Sequence, residues 1–292
     1  MAVTPGAPGA SWWDRLQHID RRVLWHILIV VVAIPTLWPI NIPNAVSPMS
    51  RSLWETINAT PKNKIVLLSS TWSKGTRGEN QGQFVAVLHH LMSRRIRFAV
   101  SSFTPEGMQV ALDRIREVAP RYDYVYGRDW VSLGYQASAG NFVKGINVDL
   151  IGTVKLDSVD KKPLSSLPVM AGIRSIDDVN IVVEFSAAAT HMVWIQLLKS
   201  GVMKGFCPTS VMAPESLPYY ASGQLTGVLW GAKGAYDYEQ LNVEHGTGPY
   251  SFGRQYMGPL SAAFGLVIVS IVVGNLAMFA SRARATRRGM QG

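Results

Sequence analysis

The stretch KIVLLSSTWSKGTRGENQGQFVAVLHHLMSRRIRFAV, residues 64–100, reads as strand, helix and strand, and this reading decides the fold. Ile65, Val66, Leu67 and Leu68 form a short unbroken apolar run, as a strand does when both faces of its sheet are covered. Phe84, Val87, Leu88 and Leu91 then recur at helical spacing within residues 83–95, and residues 96–100 return to strand composition. Thr104, Pro105 and Glu106 spell a helix start, with a capping hydroxyl, a proline at the first position and an acid in the first turn. They predict a helix through residues 108–118, followed by a third strand at residues 122–126. Strands alternating with helices predict a parallel sheet with crossover helices.

Further along, residues 127–178 are rich in glycine and hold one convincing apolar run, at 148–154, readable as an extension of the sheet or as a lid. Residues 179–185 predict a strand, and residues 187–199 a helix closed by Gly201. Residues 202–207, residues 225–230 and a helix over 232–241 complete the domain. The fold class expected is α/β, a Rossmann-like open, mainly parallel sheet flanked by helices and inserted between two transmembrane helices. In architecture alone this resembles the Rossmann-like receptor domains of periplasmic ligand binders.

The two ends of the chain set the topology. Residues 23–40 and 259–281 are apolar stretches of the length that crosses a hydrocarbon core of about 30 Å. Arg15, Arg21 and Arg22 precede the first, and Arg282, Arg284, Arg287 and Arg288 follow the second. Arginine is retained on the cytoplasmic side of short flanks, so both termini are expected in the cytoplasm of a bacterial-type inner membrane. The main domain is then periplasmic or extracellular. The organisation expected is a cytoplasmic segment at 1–22, a first span at 23–40, a connector at 41–63 with one helical turn around residues 53–57, the α/β domain at 64–258, a second span at 259–281 and a basic tail at 282–292. Trp12 and Trp13 open a candidate interfacial helix over 12–22. A cleaved secretion signal is the rival reading of residues 23–40, but the apolar core is long for one and no small-x-small cleavage site follows it.

Composition narrows the function classes. The 292 residues are 48% hydrophobic and 16% charged, too apolar for disorder and too polar for a polytopic transporter. Much of the +9 net charge lies beside the second span, where it suits a membrane edge, so no nucleic-acid partner is expected. The single Cys207 precludes an intramolecular disulfide and a cysteine zinc cage.

In an open parallel sheet the ligand belongs outside the carboxyl ends of the strands. The loop after the first strand, residues 69–80, is dense in hydroxyls and holds two glycines, Lys74 and Arg77. It suits a small anionic ligand, although it matches neither a Walker A loop nor G-x-G-x-x-G. The candidate ligand-binding residues are Ser70, Thr71, Lys74, Arg77, Ser101, Arg128, Glu184 and Ser186. Each hydroxyl is also explained by helix capping. Glu184 ends an apolar strand, so it is expected to be partly buried and to need a partner, with Arg77, Arg128 or a ligand amine as candidates.

There is no G-x-S-x-G elbow and no H-E-x-x-H, and His89 and His90 point to different helix faces. His191 reads as a core or capping histidine and Cys207 as a small buried apolar residue. No catalytic residue, metal or cofactor is therefore expected. In the second span, Ser261 with Gly265 and Ser270 with Gly274 are small-x-x-x-small pairs, and Asn275 is a polar group at depth. They predict packing against the first span, a second copy or another membrane protein. The function expected is a noncatalytic, membrane-anchored binding or assembly subunit of an inner-membrane complex. The alternatives are an enzyme acting on a small anionic substrate through Lys74, Arg77 and Glu184, or a receptor signalling through a partner.

Overall fold

The computed structural model describes residues 19–38 and 44–289. The expected interfacial helix at residues 12–22 falls mostly outside them, as do the last two residues of the expected first span. Two compact units separate, one made of the chain ends and the other running from Pro43 to Tyr256.

The terminal unit contains helix α1 (Arg21–Leu37), whose side chains are mostly exposed and apolar. The Asp20 carboxylate caps it by accepting from the Arg22 N–H at 2.8 Å.

In the central unit the elements run α2 (Pro48–Asn58), β1 (Ile65–Thr71), α3 (Arg77–Ser93), β2 (Phe98–Ser102), α4 (Pro105–Val118), β3 (Trp130–Tyr135), α5 (Ala139–Val148), α6 (Leu150–Val154), β4 (Val179–Ser186), α7 (His191–Leu197), β5 (Met203–Pro208), α8 (Ala213–Ala221), β6 (Gly227–Val228) and α9 (Gly231–Glu244). Six strands form one sheet in the order β3-β2-β1-β4-β5-β6, and every pairing is parallel. That is the Rossmann order, which reverses direction between β1 and β4.

Both faces of the sheet are covered. Val66, Leu68, Val100, Val183 and Phe185 face a core shared with α2, α3, α4 and α9. Ile65, Leu67, Ala99, Val131 and Val182 face a second core with α5, α6 and α7. Helix α3 is buried nearly all round from Asn80 to Met92, because α9 packs on its outer side. It begins at Arg77, six residues before the start expected at residue 83, since Gly78 and Gly82 interrupt the pattern. Gly82 allows the close approach: a Cβ there would lie 3.1 Å from that of Ala235 in α9.

Three expectations are corrected. The third strand is not residues 122–126; Ala119–Tyr122 form a 3-10 turn and Asp123 is left-handed, with φ 48°. Tyr124 and Tyr126 turn their rings toward the core, which produces the alternation of a strand with no pairing beyond an isolated bridge of Tyr126 to Trp130. The strand is β3, inside the glycine-rich segment, and it extends the sheet at one edge. The apolar run at 148–154 is helical from Leu150. The segment expected as a connector carries α2, started by Ser47 and Pro48, with Leu53, Trp54 and Ile57 fully or nearly buried.

Both outer strands are restricted. The Ser132 carbonyl of β3 accepts from Ser158 N–H at 2.9 Å, while β6 is two residues long and lies under α2. A Cβ at Gly227 would fall 2.6 Å from the Leu53 backbone nitrogen. Gly227→Ala is therefore expected to lift α2 from the sheet and lower stability by about 1–3 kcal/mol. Denaturant unfolding of the two proteins checks this, and an unchanged midpoint would mean that α2 is not held there.

The last helix, α10 (Phe252–Gly289), starts in the central unit and continues through the second apolar stretch. It is, among the described residues, the one helix long and apolar enough to cross a membrane. With 17 residues, α1 is shorter, spanning about 25 Å at 1.5 Å per residue. Within the terminal unit a Cβ at Gly258 would meet that of Pro35 at 3.3 Å, so the two helices touch there. A Cβ added at Gly265 or Gly274 would meet nothing within 4 Å, and Ser270 and Asn275 are exposed.

Candidate functional site at the sheet reversal

Parallel pairing aligns side chains in rows that cross the strands. One row runs from Gly134 through Ser101, Ser69 and Glu184 to Phe206, all on the face toward α7. One step closer to the carboxyl edge, Thr71 pairs with Ser186. The reversal point between β1 and β4 is thus flanked by Ser69 and Thr71 on one side and Glu184 on the other, all of them buried.

Glu184 is 1% exposed and has no cationic partner among the described residues. Its carboxyl oxygens accept from Thr190 Oγ1 at 2.6 Å and from Trp194 Nε1 at 2.8 Å, so α7 supplies the partner that the sequence required. Burial pushes its pKa up to about 7; the nearby Ser69 hydroxyl first, then the bonds from Thr190 and Trp194 and the Thr71 hydroxyl, hold it back from rising further. Neither Ser69 nor Thr71 completes a hydrogen bond among the described residues, nor does Ser101. His191, the first residue of α7, stacks on Phe206 with ring centroids 4.2 Å apart, and neither ring nitrogen has a partner among the described residues. Burial lowers its pKa, which favours the neutral ring. Ser69 and Thr71 thus lie against the carboxyl group, Ser101 lies one strand further along the row and His191 lies over Phe206, and none of the four completes a hydrogen bond among the described residues.

The other expected residues separate from this cluster. Ser70 points to the opposite face, where its hydroxyl donates to the Gly107 carbonyl at 3.0 Å. Ser186 Oγ accepts from Ala188 N–H at 3.0 Å and shapes the turn after β4. Lys74 and Arg77 are exposed, and Arg77 Nε donates to Gln81. Arg128 lies on the other edge of the sheet, because it precedes β3 rather than following a strand, and there it pairs with Asp129 at 2.7 Å. The loop that was expected to cradle an anion is also occupied by the protein's own acids. Glu106 accepts from the Lys74 backbone N–H at 3.0 Å, and Glu79 accepts from both Ser210 N–H and its hydroxyl at 2.6 Å. A phosphate at these donors would meet two carboxylates.

Other polar groups in the interior are committed to the fold. Gln83 Nε2 donates to the carbonyls of Pro208, Leu229 and Gly231, tying α3 to the ends of β5 and β6. His90 bonds Tyr238 at 2.7 Å and stacks on Trp54, and burial brings its pKa down to about 3. His89 bonds Tyr122 at 2.8 Å, and burial lowers it to about 4. Both are neutral core histidines. Among the described residues no group of three or more potential ligands could hold a metal ion. The sequence reading missed Ser69 as a member of the row, along with Thr190, His191 and Trp194. The Glu184, Thr190 and Trp194 spacings of six and ten residues carry the signal only once a strand-to-helix turn is placed between them.

No family model matches the chain, and no match is found among curated proteins or solved structures. The chemistry must be read from the site itself.

The buried carboxyl has a measurable signature. Its proton affinity is higher in the folded protein than in the unfolded chain, where the carboxyl titrates near 4.5. The stability it contributes is thus fully present at acid pH and is lost as pH rises from about 4.5 through about 7, by roughly 3 kcal/mol in all. Glu184→Gln should remove that loss, so the variant gains on the parent between pH 5 and pH 8. Urea unfolding across this range tests it, and parallel stability curves would show that Glu184 is not the titrating group.

Proposed function

We propose that this chain is a membrane-anchored, noncatalytic binding domain, acting as a binding or assembly subunit of an inner-membrane complex, and that its ligand completes the hydrogen bonds of the row at the sheet reversal. The observation that carries this reading is the set of buried groups without a hydrogen-bond partner among the described residues along the sheet reversal, with Ser69 and Thr71 beside Glu184, Ser101 next in the row and His191 over Phe206. A buried polar group left unsatisfied costs about 1–3 kcal/mol. Several of them at the place where Rossmann-like sheets take their ligands favour a site finished by something else.

Their chemistry selects the ligand class. Hydroxyls both donate and accept, the neutral imidazole does the same, and Glu184 changes charge near neutrality. Such a set suits a neutral polyhydroxylated or amine-bearing molecule. The anionic ligand expected from the sequence is disfavoured here by Glu79, Glu106 and Glu184 itself. A second reading, in which the site is catalytic, draws on one feature: a carboxyl with pKa about 7 is suited to moving protons at neutral pH.

Placement in the membrane rests on the apolar part of α10 as one span and on α1 as a shorter second span, with Arg21 and Arg22 at the start of α1 and Arg282, Arg284, Arg287 and Arg288 in the last turns of α10. On this reading both termini are cytoplasmic and the central unit is periplasmic or extracellular. Gly265, Ser270, Gly274 and Asn275, which no other described residue covers, suit a second copy or another membrane protein.

Two experiments bear on these claims. Ser101→Ala removes a buried, unpartnered hydroxyl, so it should raise the stability of the ligand-free protein by about 1 kcal/mol while abolishing melting shifts caused by polyols or amines. A drop in stability would mean that the hydroxyl serves the fold. For sidedness, Val211 is 86% exposed, and the sole native cysteine, Cys207, is buried. Val211→Cys should react with a membrane-impermeant maleimide in intact cells, whereas reaction only after lysis would place the domain inside.

A further inference from the structure

The opposite, amino-terminal edge of the sheet holds a cavity of about 320 Å³ lined by Thr60, Pro61, Lys62, Lys64, Arg94, Arg95, Ile96 and Arg97. Five cations line it and no carboxylate does. They come from the segments that enter β1 and β2, so the two strands fix their spacing. We propose that this cavity is a binding site for a multiply charged phosphate group, separate from the site at the sheet reversal and independent of it.

The disposition of partners supports this. Lys62, Lys64, Arg94 and Arg95 have no ion pair and no side-chain hydrogen bond among the described residues. Asp129, which lies within electrostatic reach of Arg95, is already held by Arg128 and the Val125 N–H. A helix end normally repels an anion with its free carbonyls, but here most of those carbonyls are taken, that of His90 by the Arg94 N–H among them. Leu91 and Met92 accept from the N–H groups of Ile96 and Arg95. Arg97 donates to the carbonyls of Val169, Ala171 and Lys62, which locks its guanidinium in place.

The backbone fixes the setting of Arg95, which closes α3 at the left-handed position of a Schellman motif, with φ 54°, where glycine is the favoured residue. That conformation sets where the Arg95 side chain leaves the helix end, at the lining of the cavity. The cavity volume falls at the lower end of the range for small-ligand sites, about 300–1,000 Å³. That suits a compact phosphate better than an extended polyanion.

The full chain in nonionic detergent is titrated by calorimetry with inorganic pyrophosphate at low salt. Saturable one-to-one binding is expected, weakening at least tenfold in Arg95→Gly and in the double variant Lys62→Ala with Arg94→Ala, and unchanged in Lys199→Ala, a surface control. Arg95→Gly should melt no lower than the parent, which separates loss of a ligand contact from loss of fold. Absence of saturable binding by the parent, or equal affinity in Arg95→Gly, overturns the proposal. So does tighter binding of a short single-stranded oligonucleotide than of pyrophosphate. Reconstitution in nanodiscs then tells the phosphate's source. If lipid headgroups fill the cavity, pyrophosphate binds at least tenfold more weakly in anionic than in zwitterionic discs; if the ligand is a free phosphate, affinity is the same in both.

Discussion

A parallel sheet covered on both faces leaves chemistry only at its two edges, and the rest of this protein follows from that constraint. Strand interiors must be apolar, so each polar side chain within a strand requires an explanation. Ser70 has one, in the Gly107 carbonyl, and Ser186 has another, in the turn it shapes. Ser69, Ser101 and Glu184 stand in a single row, and only the carboxyl is provided for, by Thr190 and Trp194. Glu184 therefore both anchors α7 to the sheet and marks the point at which the interior stops being self-sufficient.

The two edges divide the charge between them. At the carboxyl edge, acidic side chains occupy the backbone donors that a phosphate would otherwise use. At the amino edge, cations collect and the local carbonyls are consumed by internal bonds. In many Rossmann-like domains the helix dipoles would favour anions at the carboxyl edge. Here the side chains work against that tendency at one end of the sheet and oppose its inverse at the other.

How far the sequence could be read depended on whether a signal was local. β1 and β4 were legible because a run such as Ile65 to Leu68 has few alternatives, and α4 because Thr104, Pro105 and Glu106 cap it within one turn. β3 was misplaced by the aromatic alternation of Tyr122, Tyr124 and Tyr126, whose rings pack inward from a turn. That error carried Arg128 to the wrong edge, since a residue before a strand and a residue after one lie at opposite ends of the sheet. Pro48 read as part of a connector, although behind Ser47 it starts α2. The need of Glu184 for a partner was visible in its apolar strand. The identity of that partner was not, because Thr190 and Trp194 meet it only after the chain has turned from β4 into α7.

The narrow margins of the sheet also limit the company this protein can keep. Many domains recruit others by letting a foreign strand extend an exposed ladder. With β6 cut to two residues beneath α2, and the β3 margin engaged by Ser158, strand addition finds little to copy. Recognition by the central unit is then left to side chains on its helices and loops, and the same short margins give a second copy of the sheet little backbone on which to add.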